Sequence, residues 1–260
     1  MINRISFENE LGIPLWLERG KLFAGGDYEV EHKESLLLAD IKSQTINDDI
    51  CYPEYIGDRY KLKILKETIL NIPYLFNILK LSGTLLGIEF AKTRGRYTKS
   101  NHSVYLQGVS GSGFVIIQDT YFDPLTFAFR TKEVHIVYIS QGTSLLIPPH
   151  YGYVIVNKTL RDLILLEVIN EKIVQEEVFD NHKGAAFYII YKNSRPEIVT
   201  NPYFSDSPNY KRYTKEMILK NKKLGSFTVD EIKQMLLSSH KAPIFSLLCS
   251  NNFNINQLLK

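Results

Sequence analysis

Side chains able to do chemistry crowd two short stretches. Arg96, Tyr97, Lys99, His102 and Tyr105 lie in one, and Tyr151 and Tyr153 follow the Pro148-Pro149 pair in the other. A guanidinium is a permanent cation with five donors, suited to an anionic ligand or to a carboxylate partner. If Arg96 is buried it must have one of these, because a bare charge in a low-dielectric interior is very costly. Its intramolecular alternatives are an ion pair with Glu89 or Glu167, or a swing outward to solvent. Tyrosine offers a phenol to a ligand's polar groups and a ring to its apolar face, although most tyrosines in β-proteins are core packing with the hydroxyl at a rim. About two of Tyr97, Tyr105, Tyr151 and Tyr153 are therefore expected to touch a ligand. A His beside a Tyr is the minimum for acid–base work without a metal, and His102 with Tyr105 or Tyr153 is the candidate pairing. Lys99 reads as a solvated loop charge, and Glu167 as a counter-charge for Arg96.

The elements that must position these groups read mainly as strands. Leu15 to Leu22, around the Glu18-Arg19-Gly20 turn signal, reads as a short hairpin. Ser35 to Ile41 fits helix or strand, and the spacing of Leu62, Ile64, Leu65 and Ile69 admits a short amphipathic helix from Tyr60 to Leu70, ended by Pro73. Strand-like runs follow at Tyr74–Leu81, Gly87–Lys92, Ser103–Gln107, Gly113–Gln118, Thr126–Arg130, Glu133–Ser140, Ser144–Ile147, Tyr151–Asn157, Leu163–Ile169 and Ala185–Lys192, with Gly, Pro, Asn or Asp between most of them. Many short strands at near-regular spacing mean a sandwich or a barrel. Ser205 to Asn209 is a linker cluster, so residues 1–205 read as the main domain and 206–260 as a linker with a C-terminal helical extension. In that extension Thr228-Val229-Asp230-Glu231 is a capping box, which predicts a helix through Leu237.

Composition agrees with this organisation. A chain of 260 residues supports one substantial core plus an appendage. Sixteen Tyr against three Met favour pleated surfaces over a helix bundle. The net charge of +3 comes from interleaved basic and acidic residues, with no continuous footprint for a nucleic-acid backbone. Cys51 and Cys249 have no metal-knuckle spacing, and a reducing compartment suits them. The amino-terminal residues, with Glu8 and Glu10, lack the apolar core of a signal peptide, and no run reaches the length of a membrane span. A cytoplasmic protein with no membrane partner is expected.

Four blocks in order carry a family resemblance. They are Leu81 to Gly95; Gly113 to Gln118; Leu146-Ile147-Pro148-Pro149-His150-Tyr151-Gly152-Tyr153; and Gly184 to Ile189 with Asn201-Pro202-Tyr203. Together they resemble the cupin-type glucose-6-phosphate isomerases over about residues 12 to 205. The resemblance implies a mainly β cupin barrel of the jelly-roll type, with N-terminal strands and a C-terminal helical tail, and pairing into a homodimer. Members of that family hold a divalent metal with two histidines in a Thr-x-Gly-His-x-His motif, a Glu, and a His ending the Pro-Pro turn. Here those positions fall on Arg96, Thr98, Ser103 (or Val104 in a register shifted by one) and Tyr153. A guanidinium has no lone pair to donate, and hydroxyls are poor replacements for imidazole. The Glu is also the family's proposed proton-transfer base, so chemistry is lost with coordination. His102, His135 and His150 lie near the motif, but His135 belongs to an outer-strand segment and His150 to a loop. No metal and no cofactor are expected.

The resemblance also implies a phosphate grip. The Thr and Gly that precede the first histidine survive as Thr93 and Gly95. A further phosphate-side Tyr corresponds to Tyr52 or Tyr55, and a Thr of that subsite is replaced by Leu79. Bare of the resemblance, Thr93 and Gly95 are a strand end and a turn. The implied function is a metal-free isomerase-like cupin that binds a phosphorylated sugar or other small anion through Thr93, Gly95, Arg96, Tyr52, Tyr97, Thr98 and Tyr151, with little or no isomerase turnover. Two alternatives stand beside it. One is an active metal-independent isomerase or epimerase using Arg, His and Tyr; the other is a non-catalytic scaffold whose Thr228–Leu237 helix and apolar tail bind a partner.

Overall fold

A computed structural model describes residues 4–47, 49–65, 74–97, 103–170, 174–175, 177–204, 209–214 and 227–237. Two six-stranded sheets face each other. The first runs in the order Ser144–Ile147, Val104–Ser110, Leu163–Asn170, Tyr74–Leu81, Tyr55–Ile64, Tyr28–Leu37. The second runs Val174–Gln175, Arg96–Tyr97, Gly152–Asn157, Ser112–Asp123, Ala128–Ser140, Tyr210–Tyr213. All neighbours are antiparallel except the last pair, in which Val134 to Val137 lie beside Tyr210 to Tyr213 in parallel. The interior between the sheets is apolar for most of its length, with Leu79, Leu81, Leu106 and Leu165 of the first sheet meeting Val115, Ile117, Val137 and Ile155 of the second.

Both sheets are buried on their outer faces as well. Behind the first, Ile78, Tyr105 and Leu166 pack with Leu11, Ile13 and Leu15 of the N-terminal segment and with Val229 and Ile232 of the C-terminal helix. Behind the second, Phe114, Ile116 and Val154 pack with Phe179, Phe187 and Ile189. This two-sided cover explains the nearly continuous apolar runs Ser144–Ile147 and Gly152–Asn157, every residue of which is buried.

Three local expectations are revised. The start of the segment expected to be helical from Tyr60 to Leu70 belongs to a strand, Tyr55–Ile64, paired to Tyr28–Leu37 on one side and Tyr74–Leu81 on the other, and positions 66–70 lie outside the described residues. Leu62 and Ile64 satisfy a period of two as well as a helical one, and pairing on both edges decides for the strand. Thr126–Arg130 and Glu133–Ser140 are parts of one strand, Ala128–Ser140, which forms a long ribbon with Ser112–Asp123. Gly87–Lys92 contains only a two-residue strand, Glu89–Phe90. The Leu15–Glu18 and Lys21–Ala24 hairpin forms, and Ser35–Ile41 divides into the end of a strand and the short helix Leu38–Ile41.

The capping-box helix forms at Val229–Leu237. The Glu231 amide donates to Thr228 Oγ1 at 3.2 Å, and the Thr228 amide donates to Glu231 Oε2 at 2.8 Å. Val229 and Ile232 bury their side chains on the barrel, and Tyr28 donates a hydrogen bond to Asp230 at 2.8 Å. In the described residues this helix therefore covers its own sheet. Replacing Thr228 with Ala removes one cap bond and should lower stability by about 1 kcal/mol, measured by urea unfolding. Thr228→Asn, which keeps a capping oxygen, should restore most of it.

Candidate functional site

Pairing of Arg96–Tyr97 with Gly152–Asn157 sets Arg96 directly opposite Tyr153. Two positions where the resemblance implies metal ligands, far apart in sequence, thus meet in the barrel, where Tyr153 joins the interior cluster. What converges is a guanidinium and a phenol.

Strand alternation supplies their partners. Glu167 lies opposite both Asn77 and Leu106, and the same face carries Leu163, Leu165 and Ile169, so its carboxylate points into the interior and is fully buried. Arg59, opposite Leu79, points the same way. Tyr153 donates to Glu167 Oε1 at 3.1 Å, and Asn77 donates to Glu167 Oε2 at 3.4 Å. The Arg59 Nε and Arg96 Nη1 groups lie 3.4 and 4.0 Å from the same Oε2. On the other side of the two guanidiniums, Glu34 Oε1 accepts from Arg59 Nη1 at 2.8 Å and from Arg96 Nη2 at 3.2 Å. Two cations and two carboxylates form one neutral network. Arg59, Arg96 and Glu167 keep 6%, 12% and 0% of their side-chain exposure, whereas Glu34 keeps 42%.

Burial opposes the charge on Arg96, but the Glu167 carboxylate, with Tyr153 and Glu34, overrides it and holds the guanidinium above its usual range. Burial first, and then the Glu167 charge, push the Tyr153 phenol well above the ordinary tyrosine value, so it serves as a hydrogen-bond donor. The donor set does not fit a divalent metal. Arg96 has no lone pair, Tyr153 keeps its proton, and the Glu167 oxygens face donors. Of the remaining family ligand positions, Ser103 and Val104 are fully buried, and Thr98 lies outside the described residues, as do Lys99 and His102. Among the described residues no group of three or more His, Cys, Asp or Glu side chains is placed to hold a metal.

The other expected ligand residues occupy varied places. Thr93 is buried, with its amide donating to the Ile155 carbonyl and its Oγ1 accepting from the Ile155 amide at 3.0 Å. The Gly95 amide donates to Gln44 Oε1 at 2.9 Å, and a Cβ at Gly95 would come within 2.2 Å of the Phe179 ring. Arg94 beside it pairs with Asp180 at 2.6 Å, and Asp180 also accepts from Ser43 and Gln44. The Thr93–Gly95 segment that leads into the Arg96–Tyr97 strand is thus overlaid by the Glu177–Asn181 helix and Gln44, and glycine is the residue that admits the Phe179 ring. Tyr97 turns to the face opposite Arg96 and donates to the Thr120 carbonyl at 3.1 Å; burial raises its phenol to about 12. Tyr105 also faces outward, into the cluster beneath the C-terminal helix, so it does not meet Tyr153 across the barrel. Tyr52 is 78% exposed. Glu89, the other expected partner of Arg96, is paired instead with Lys92.

Tyr151 is half-buried at the interior and donates to Glu133. Glu133 lies 3.3 Å from Nε2 of His135, whose Nδ1 lies 3.3 Å from the Tyr213 hydroxyl. His135 is a correction to the sequence reading. It lies opposite Ile117, on the face of Val137 and Ile139, and therefore points into the barrel, where it is fully buried. No sequence signal told this, because both faces of the strand are apolar. Arg59 and Glu34 were also missed; Arg59 lies just before the stretch from Tyr60 that read as a helix, and no strand was expected there.

The family model described as Glucose-6-phosphate isomerase (GPI) matches residues 31–203. No curated protein matches the chain. Among solved structures, the Drosophila melanogaster CENP-C cupin domain is similar at 12% identity, over 44% of this chain and 69% of that one, with a TM-score of 0.30. A variant of Bacillus subtilis oxalate decarboxylase is similar at 14% identity, over 59% of this chain and 34% of that one, with a TM-score of 0.34. The chain therefore spans about a third of the length of the decarboxylase, and at these scores neither likeness bears on function.

Two outcomes test the electrostatics. Arg96→Met should cost about 3 kcal/mol, because it leaves Glu167 buried with half its counter-charge, and the Arg96→Met, Glu167→Gln double variant should recover much of that loss in urea unfolding. Burial lowers the pKa of His135 below its ordinary 6.5, against the pull of Glu133 and with that of Lys211. A histidine kept neutral in the fold takes up its proton more readily when unfolded, so it should cost stability as pH falls from about 6.5. His135→Gln should flatten that part of the stability–pH curve while leaving the carboxylate-driven fall at lower pH.

Proposed function

Since the chain belongs to the glucose-6-phosphate isomerase family, we propose that it is a metal-free member which binds a phosphorylated sugar or other small anion at the Arg59–Arg96 pair, with little or no isomerase turnover. The observation that carries this reading is the replacement of imidazole by a buried, ion-paired guanidinium where the family places its metal. Isomerisation between an aldose and a ketose needs a base to move a proton between neighbouring carbons and a group to polarise the carbonyl. Glu167 is the carboxylate nearest the family's metal position. Both of its oxygens are turned toward Tyr153, Asn77 and the guanidiniums, which leaves it placed to fix those groups and not to take a substrate proton. Two adjacent guanidiniums beside a half-exposed carboxylate suit an anion, since each presents several donors in a planar fork. The same reading carries a cytoplasmic location and pairing of two copies through their sheets. In the described residues no helix is long and apolar enough to cross a membrane.

Elemental analysis of the purified protein, with a coupled assay on fructose 6-phosphate, should find less than stoichiometric transition metal and no turnover above the uncatalysed rate. Stoichiometric metal together with turnover would sink the proposal. In thermal-shift measurements with sugar phosphates and small organic anions, the wild type should be stabilised by at least one anion and Arg96→Met by none. Equal shifts in both proteins would remove Arg96 from the site.

A further inference from the structure

Glu34 is the most exposed member of a network whose other charges are nearly or fully buried, and the way it reaches that network is unusual. The Tyr28–Leu37 strand is the edge of its sheet, and its pairing with Tyr55–Ile64 shifts register between His32 and Glu34. His32 lies opposite Tyr60 and Glu34 opposite Arg59, leaving Lys33 outside the ladder. A regular ladder continued from His32 would set Lys33 against Arg59 and Glu34 against Asp58, two like-charge pairs. The bulge avoids both and turns Glu34 toward Arg59 and Arg96, and re-aiming a side chain is the use such extra residues commonly serve.

The bond that results is a ligand-like one. A single carboxylate oxygen accepts from Arg59 Nη1 at 2.8 Å and from Arg96 Nη2 at 3.2 Å, on an arm that remains 42% exposed. Arg59 is not saturated by its present partners. Its buried Nε makes no hydrogen bond, although Glu167 lies 3.4 Å away. If Glu34 swings out, Arg59, Arg96 and Glu167 remain with a net charge of one positive unit. One carboxylate restores neutrality. A phosphate monoester carries about 1.5 to 2 negative charges near pH 7 and would leave an excess beside the buried Glu167.

We propose that Glu34 is the resident counter-ion of the Arg59–Arg96 site, and that the external ligand is a small monocarboxylate which takes the place of its side chain. This rests on the anion-binding reading above and names the anion. The edge strand holds the site closed with its own carboxylate, and binding is an exchange of one carboxylate for another. The site's affinity is set by how often Glu34 is away, since a site available for only a fraction of the time has its apparent affinity reduced by that fraction.

Isothermal titration of the full chain with sodium gluconate, glucose 6-phosphate and glucose, in wild type and Glu34→Gln, tests this. Glu34→Gln should bind gluconate about tenfold or more tightly than the wild type does, prefer gluconate to glucose 6-phosphate, and ignore glucose. Adding Arg96→Met to Glu34→Gln should abolish the binding. Equal gluconate affinity in wild type and Glu34→Gln overturns the exchange while leaving an anion site in place. Tighter binding of glucose 6-phosphate than of gluconate by Glu34→Gln overturns the assignment to a monocarboxylate. Failure of both proteins to bind either anion removes the anion-binding reading and the exchange with it. Should Glu34→Gln fold poorly, Glu34→Asp keeps the charge but withdraws it by one methylene, and the same gain in gluconate affinity is expected.

Discussion

Charge neutrality at the centre of the barrel is the constraint on which the rest depends. Two guanidiniums nearly out of water would each be prohibitive alone, and they persist because Glu167 and Glu34 stand on either side of them. The positive charge here is organic, with Glu167 as its buried counter-ion and Glu34 as its half-exposed one. Tyr153 and Asn77 complete the coordination of Glu167 much as an outer shell orients a metal's ligands. Such a network favours one arrangement of its strands, because a register slip in any of the four that supply it would bury a charge without a partner.

That arrangement is held from outside as much as from within. The first sheet carries the interior network on one face and, on the other, a second polar set in which Asp58 accepts from Tyr55, Tyr60, Ser35 and Lys80. Burial and the Asp58 carboxylate together raise the Tyr60 phenol to about 12. Adjacent residues of one strand, Asp58 and Arg59, thus serve opposite faces with opposite charges. The Thr93–Gly95 segment is fixed in the same manner from the far side of the second sheet, by Phe179, Gln44 and the Arg94–Asp180 pair. Groups that a phosphate could have used are here fastening one layer to the next.

How much of this could be read in advance depended on whether a strand had a wet side. Turn residues and β-rich runs marked most of the strands, and the order of four short blocks marked the family, because these signals are local. The convergence of Arg96 with Tyr153 was legible through the family pattern, and Glu167 was one of two partners that charge alone suggested for Arg96. Inside and outside were not legible where both faces are dry. Tyr105, expected near a ligand, lies under the C-terminal helix, and His135, expected outside, lies within. Neither strand alternates between polar and apolar residues, so its sequence does not say which parity faces the barrel. Glu34 was hidden for another reason, since a single-residue bulge reverses the facing of everything beyond it and leaves no compositional mark.

The outer cover of the first sheet is assembled from segments remote in sequence. A Cβ on Gly12 would fall 2.8 Å from the side chain of Thr228, and Tyr28 is bonded to Asp230, 202 positions away. Closing so long a loop comes late, after the local hairpins have formed. During synthesis on the ribosome, Leu11, Ile13 and Leu15 emerge long before Val229 and Ile232 are made. The sheet's last strand, Leu163–Asn170, is likewise made before them, so the part of the outer face that Val229 and Ile232 cover stays bare in the interval, an apolar surface open to aggregation if elongation stalls there.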